Sequence, residues 1–194
     1  PIVVINRELI RNRNRCVFTD HRRSSEEMVE HLLAQGHKRI AYIAGPLNQR
    51  TAQLRLQGYQ AALATAGIAF DPLLVAEGDR YYHGGYSACN QLLQRKTEFT
   101  ALCCFNDLTA IGALKALEEH GIAVPQQVSL FGFDNEAVLD YLSPSLSSVQ
   151  LPAHAFVTHA MTLLLDKLTS TETPKQDDSE FIGELVVRGS VAAL

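Results

Sequence analysis

The stretch ALCCFNDLTAIGALKALEEHGIAVPQQVSLFGFDN (residues 101–135) decides the fold class. An apolar run at 101–105 is followed by a helical pattern over 107–120 and a second apolar run at 128–133. Ile111, Leu114 and Leu117 recur at the spacing that gathers side chains on one helix face. Gly121 ends the pattern, because glycine enters the left-handed backbone region without steric cost. A strand, a helix and a strand within 35 residues make a βαβ unit, whose two strands lie parallel.

The same alternation extends outward in both directions. Further apolar runs lie at 2–5, 16–19, 40–44, 73–76 and 185–187. Between them, 24–35 places Met28, Val29, Leu32 and Leu33 on one face, with Ser24 and Glu27 spaced as a capping box and Gly36 as its stop. Residues 51–66 turn Leu56, Tyr59 and Leu63 inward and end at Gly67. A last helix over 154–168 carries Val157, Met161, Leu164, Leu165 and Leu168. The polar stretch 169–179, with Pro174, reads as an exposed connection. Short strands alternating with helices predict an α/β protein with parallel sheets flanked by helices.

Composition sets further bounds. A chain of 194 residues suffices for one large α/β domain or two small lobes. Hydrophobic residues make up 46% and charged residues 20%, the balance of a soluble globular protein. A net charge of -4 argues against this segment gripping nucleic acid by itself, since phosphate binding needs clustered Lys and Arg. Cys16, Cys89, Cys103 and Cys104 show no C-x-x-C spacing and read as buried free thiols in a reducing compartment. The sequence carries no signal-peptide pattern and no apolar stretch near the ~20 residues of a membrane span. The start on PIVVINR, inside an apparent strand, predicts a fragment of a longer protein.

In open parallel sheets, ligands sit at the carboxyl ends of strands. The residues that follow the apolar runs are Asp20-His21, Gly45-Pro46, Gly78-Asp79-Arg80, Asn106-Asp107 and Asp134-Asn135. Singly, each has an ordinary role in a cap or turn, and Asp107 reads as the N-cap of its helix. Together they predict a polar crevice along one sheet edge. Nucleotide-binding, hydrolase and zinc-protease signatures are all missing, and the seven histidines are scattered. No catalytic residues, metal or cofactor are therefore expected, and the protein reads as a non-enzyme.

Several segments carry a resemblance. GHKRIAYIAGP (36–46), AQLRLQGYQAAL (52–63), FNDLTAIGALKALEEHGIAVPQQVSLFGFDN (105–135) and LVVRGSV (185–191) resemble the lactose/galactose repressor family (LacI/GalR), collinearly over essentially the whole chain. PIVVINR and LSPSLSSV (142–149) fit as well. The resemblance implies a two-lobed, periplasmic-binding-protein-like core. Residues 1–20 would end the N-terminal lobe and 21–147 would form most of the C-terminal lobe. Residues 148–175 would return as a helix of the first lobe, and 176–194 would supply the final strand of the second. The C-terminal lobe should be complete and the N-terminal lobe fragmentary.

The implied function is effector binding and dimerisation in a repressor of carbohydrate utilisation. A small sugar or sugar derivative would be the effector, and operator DNA would be read by a headpiece absent from this chain. Arg55, Asn106 and Asp134 match the family's effector contacts, because a guanidinium and a carboxylate complement paired hydroxyls. Asp20, at the first crossing between lobes, is a further candidate. Arg80 stands where the family often carries a stacking aromatic. Tyr81 or Tyr82 would replace that aromatic, or Arg80 would meet a negatively charged ligand. Asn135 replaces the second carboxylate of the usual G-[FY]-D-D. The resemblance also implies a cytoplasmic homodimer without membrane contact, formed through 136–146, with Val138, Leu139, Tyr141 and Leu142 crowded beside Pro144 and Leu139, Tyr141 and Leu142 in the interface. The alternatives are a periplasmic sugar-binding protein of a transport system, which shares the fold, and an enzyme on a doubly wound sheet.

Overall fold

Small and β-branched residues in the apolar runs, and glycines past the helices, produce nine strands and five helices among the described residues. The computed structural model describes residues 1–6, 15–169 and 180–194. The expected connection at 169–179 therefore lies almost wholly outside them. The chain forms two compact units. One comprises Pro1–Asp20 and Leu151–Glu184, the other His21–Gln150 and Leu185–Leu194.

The first unit holds a three-stranded sheet in the order β1 (Val4–Ile5), β2 (Cys16–Thr19) and β8 (Glu180–Phe181), with parallel pairings. Helix α5 (Ala153–Thr169) packs on β2 and buries Ala160 and Leu163. Of the apolar residues this helix carries, Val157, Met161, Leu165 and Leu168 are exposed and Leu164 is partly buried. Only one face of α5 meets this small sheet, and Phe156 and Phe181 fill that contact edge-to-face.

The second unit carries a six-stranded sheet in the order β4-β3-β5-β6-β7-β9, comprising β4 (Val75–Glu77), β3 (Ile40–Ala44), β5 (Ala101–Cys104), β6 (Ser129–Phe133), β7 (Ser147–Gln150) and β9 (Glu184–Val186). The pairings from β4 through β7 are parallel. From β3 the chain steps outward through α2 (Arg50–Thr65) to β4, then returns through α3 (Tyr82–Gln94) to β5 and continues through α4 (Asp107–Glu119) to β6. Right-handed crossovers in opposite directions place helices on opposite faces. Accordingly α2 packs with α1 (His21–Ala34), and α3 packs with α4.

Three helix details depart from the sequence reading. Helix α1 begins at His21, and Ser24 lies buried within it, so Ser24 and Glu27 form no capping box at its start. The apolar spacing marks only the later turns, while the first turn is buried through polar His21, Ser24 and Ser25. Asn106, not Asp107, caps α4, accepting from the Thr109 amide. Helix α4 buries small residues, Ala110, Ala113 and Ala116, while Ile111 and Leu114 are only partly covered. That smoothness lets α3 and α4 approach closely. A Cβ on Gly112 would lie 1.9 Å from the Tyr82 carbonyl oxygen, and one on Gly85 would lie 2.1 Å from that of Thr109. Two strands escape the pattern altogether, the serine-rich β7 and the two-residue β8. All four cysteines are buried free thiols, and no described helix is long and apolar enough to cross a membrane.

Candidate functional site

The chain leaves β3 toward one edge of the sheet and leaves β5 toward the other, so the loops after these neighbouring strands diverge and open a crevice. A cavity of about 310 Å3 occupies it, lined by Gln49, Thr51, Arg55, Arg80, Tyr81, Phe105, Asn106, Leu108 and Asp134.

Arg55 projects from the second turn of α2 and is only 4% exposed. Its guanidinium carbon sits 3.5 Å from the centre of the Phe133 ring and 4.7 Å from that of Phe105. One terminal nitrogen donates to the Phe105 carbonyl oxygen at the end of β5. The other donates to Asp134 Oδ1 at 3.3 Å and lies 3.5 Å from His21 Nδ1. A cation removed from water needs such partners. Because His21 Nδ1 faces an N–H donor, it serves as acceptor and the ring proton sits on Nε2. Burial, with the Arg55 charge adding to it, pushes the His21 pKa down to about 3, so the imidazole is neutral near pH 7.

Asp134 ends β6 in left-handed backbone (φ 108°), and Asn135 follows at φ 58°. Non-glycine residues in this region cost about 1–3 kcal/mol each and persist where surroundings hold them. Asp107 supplies that hold. Its carboxylate accepts from the Glu136 amide at 2.7 Å and from Ser148 Oγ at 2.7 Å, and Ser148 Oγ itself accepts from the Asn135 amide at 3.0 Å. Burial pushes the Asp107 pKa up to about 6. Burial also raises that of Asp134, against the lowering influence of Arg55. With a side chain 36% exposed, Asp134 still reaches the cavity.

Asn106 is partly committed to the fold. Its Oδ1 accepts from the amide and hydroxyl of Thr109 at 3.0 and 2.6 Å, and its Nδ2 donates to the Arg80 carbonyl at 3.1 Å. One amide hydrogen is left over. Arg80 occupies a turn at φ 80°. Its Nε is buried without a hydrogen-bond partner, and its guanidinium lies 5.9 Å from the Tyr81 ring centre.

Of the residues singled out from the sequence, Arg55, Arg80, Tyr81, Asn106 and Asp134 line this one cavity. Asp20 belongs to the other unit, where its amide donates to the Phe181 carbonyl at 2.8 Å. Sequence reading passed over Phe105 and Phe133 as core, and it placed His21 at a strand end without a task. A neutral histidine and an aromatic platform under an arginine leave no signature in spacing.

The segment after β6 also differs from expectation. Leu139 is fully buried in its own unit's core, so it offers nothing to a partner, whereas Tyr141 is 87% exposed. Of the five residues of this short 3-10 turn, only Leu139 faces inward. Leu142 borders a groove of about 410 Å3, with Ile111, Leu114, Ile122, Val124 and Pro144.

Comparison with known proteins places this geometry. The periplasmic binding protein-like domain family matches residues 29–191. The crystal structure of a sugar-binding LacI-family transcriptional regulator from Escherichia coli, complexed with phosphate, superposes with a TM-score of 0.95 at 39% identity. The match covers the whole of this chain and 69% of that one. The chain belongs to the LacI/GalR family. Among curated LacI/GalR relatives, the Escherichia coli HTH-type transcriptional regulator AscG is 40% identical over 100% of this chain and 57% of its own length. The complex of the regulator CelR with cellobiose matches 90% of this chain and 53% of that one, at 34% identity and a TM-score of 0.82. The chain thus spans little more than half the length of AscG, in the LacI/GalR domain that resembles periplasmic binding proteins.

Proposed function

We propose that this domain is the effector-binding and dimerisation core of a sequence-specific transcriptional regulator, a repressor of carbohydrate utilisation. The observation that carries this is the Arg55–Asp134 pair, in which Arg55 is buried on Phe133 and Asp134 opens onto the 310 Å3 cavity. Fixed donors of a planar guanidinium beside a carboxylate complement vicinal hydroxyls, each of which donates and accepts at once. Asn106 adds its free amide hydrogen, and Tyr81 an aromatic face. The cellobiose in the CelR complex is a ligand of this chemistry.

The larger unit then corresponds to the C-terminal lobe of the family core, and the smaller one to part of the N-terminal lobe. Operator DNA is read by a headpiece outside these 194 residues, consistent with their charge of -4. A homodimer in the cytoplasm presents two recognition helices to a pseudo-palindrome. Its surface includes Tyr141 and Leu142 beside the apolar groove.

Isothermal titration of the wild-type protein with a panel of mono- and disaccharides tests the reading. Saturable binding of at least one sugar, lost in Arg55→Met and Asp134→Ala variants that remain folded, supports it. Binding that both variants retain at wild-type strength overturns it.

A further inference from the structure

The charges around the cavity do not cancel. Arg55 is paired with Asp134, which leaves Arg80 as the cation among the lining residues without an acidic partner among the described residues. Its Nε is buried and makes no hydrogen bond. The nearest carboxylate in sequence, Asp79, is engaged elsewhere: Oδ1 accepts from the Tyr81 amide at 2.9 Å, and Oδ2 meets His83 Nδ1 at 3.1 Å. Arg80 also sits in left-handed backbone, a conformation an arginine does not adopt for its own stability. Its carbonyl is held by Asn106, which ties the turn to the floor of the cavity.

The helix termini add to the same field. Helix α2 starts behind Gln49 and α3 behind Tyr81, both cavity-lining residues, and neither residue caps its helix with its own side chain. The positive end of the α2 dipole therefore borders the cavity without a side-chain acceptor, whereas the start of α3 already has the Asp79 carboxylate on the Tyr81 amide. A neutral sugar would leave the Arg80 guanidinium and the α2 terminus without a counter-charge. An anion would be held by a fork of charge-assisted hydrogen bonds.

We propose that the effector is an anionic sugar derivative whose phosphate or carboxylate group is held by Arg80, while its hydroxyls meet Arg55 and Asp134. This rests on the reading of the cavity as a sugar site. It makes Arg80 the residue that sets the ligand's charge class, in the place of a stacking aromatic.

The test is isothermal titration with matched pairs: glucose, galactose and ribose against their terminal phosphates, and glucose and galactose against their uronates. Inorganic phosphate serves as a further probe, and wild type is compared with Arg80→Gln and Arg80→Lys. One anionic sugar is expected to bind wild type at least tenfold more tightly than its neutral parent. Arg80→Gln should remove that preference while changing the neutral sugar's affinity less than threefold, and Arg80→Lys should restore part of it. The better of the phosphate and uronate arms identifies the anion. A neutral parent that binds wild type as tightly as its anionic form, or an Arg80→Gln variant that weakens both equally, overturns the proposal and leaves the sugar site standing. Failure of every sugar, neutral and charged, to bind wild type overturns the sugar site itself. Binding of inorganic phosphate alone, unaffected by Arg80→Gln, also overturns the role of Arg80.

Discussion

Acid should weaken this domain through His21, and the size of the effect follows from the site. An ordinary histidine has a pKa of about 6.5, and that of buried His21, beside Arg55, is about 3. Protonation therefore favours the unfolded chain. The stability this group contributes is complete above its unfolded value and is lost as pH falls from 6.5 toward 3. At 1.36 kcal/mol for each tenfold difference in proton affinity, the total loss approaches about 5 kcal/mol, of which about 2 kcal/mol falls between pH 7 and pH 5. Asp107 works in the opposite direction. Its pKa is raised to about 6, so it contributes stability at low pH that is lost as pH rises through that value, about 1 kcal/mol over the same interval. A wild-type profile alone would show little slope there. The informative quantity is the difference between wild type and His21→Asn, a substitution that keeps an acceptor near the Arg55 terminal nitrogen but cannot be protonated. Urea denaturation of both proteins at pH 7, 6 and 5 should show wild type losing about 2 kcal/mol relative to the variant from pH 7 to pH 5. Curves that stay parallel within about 0.5 kcal/mol would refute the burial of a neutral histidine against Arg55.

Asp134→Asn should weaken sugar binding by about 2 kcal/mol, some 30-fold, because hydroxyls would lose a charged acceptor; unchanged affinity by calorimetry would remove Asp134 from the site. Leu142→Asp should weaken dimerisation while leaving the larger unit folded, since Leu142 borders the groove and is only partly buried against the core, and sedimentation at micromolar concentration reads it. A variant that stays fully dimeric, or that unfolds, would assign the segment to the protomer's own core. Gly112→Ala should cost about 2–3 kcal/mol in denaturation, because its Cβ would lie 1.9 Å from the Tyr82 carbonyl and force α3 off α4. A cost below about 0.5 kcal/mol would show that the two helices separate freely.

The strands from β3 to β6 and the helices between them were legible because apolar runs and three-to-four spacing report directly on burial. Strand β7 was not, since Ser147 and Ser148 are buried through hydrogen bonds: Ser147 Oγ accepts from the Arg188 amide and Ser148 Oγ donates to Asp107. Polar residues satisfied inside a core look like loop in sequence. Helix α3 was hidden by Gly84 and Gly85, poor helix formers at positions where Asp79 crowds the first and Thr109 of α4 the second. The apolar residues of α5 show the converse case, where helical period marked the helix but not its buried face. At the site, the strand-end pattern pointed to Asp134, whereas only the resemblance singled out Arg55, which the fold buries on Phe133.

The backbone explains why these side chains are ready before a ligand arrives. Arg80, Asp134 and Asn135 all adopt positive φ at the cavity's edge, a strain that ordinary turn chemistry would have relieved with glycine. Asp107 and Ser148 fasten the Asp134 turn from below, and Asn106 fastens the Arg80 turn. Asp134 uses only Oδ1 for Arg55, and no described residue engages Oδ2. A hydroxyl can therefore join at Oδ2 without breaking the ion pair that keeps Arg55 stable in its buried position. Binding then adds bonds to an arrangement already ordered, so little of the interaction energy is lost to ordering side chains. On this account, releasing the turn should weaken the ligand without touching any group that contacts it. In Ser148→Ala the Asp107 carboxylate and the Asn135 amide each lose a partner, and sugar affinity should fall severalfold while Arg55 and Asp134 remain in place. Calorimetry showing wild-type affinity in that variant would mean that the turn holds its shape unaided.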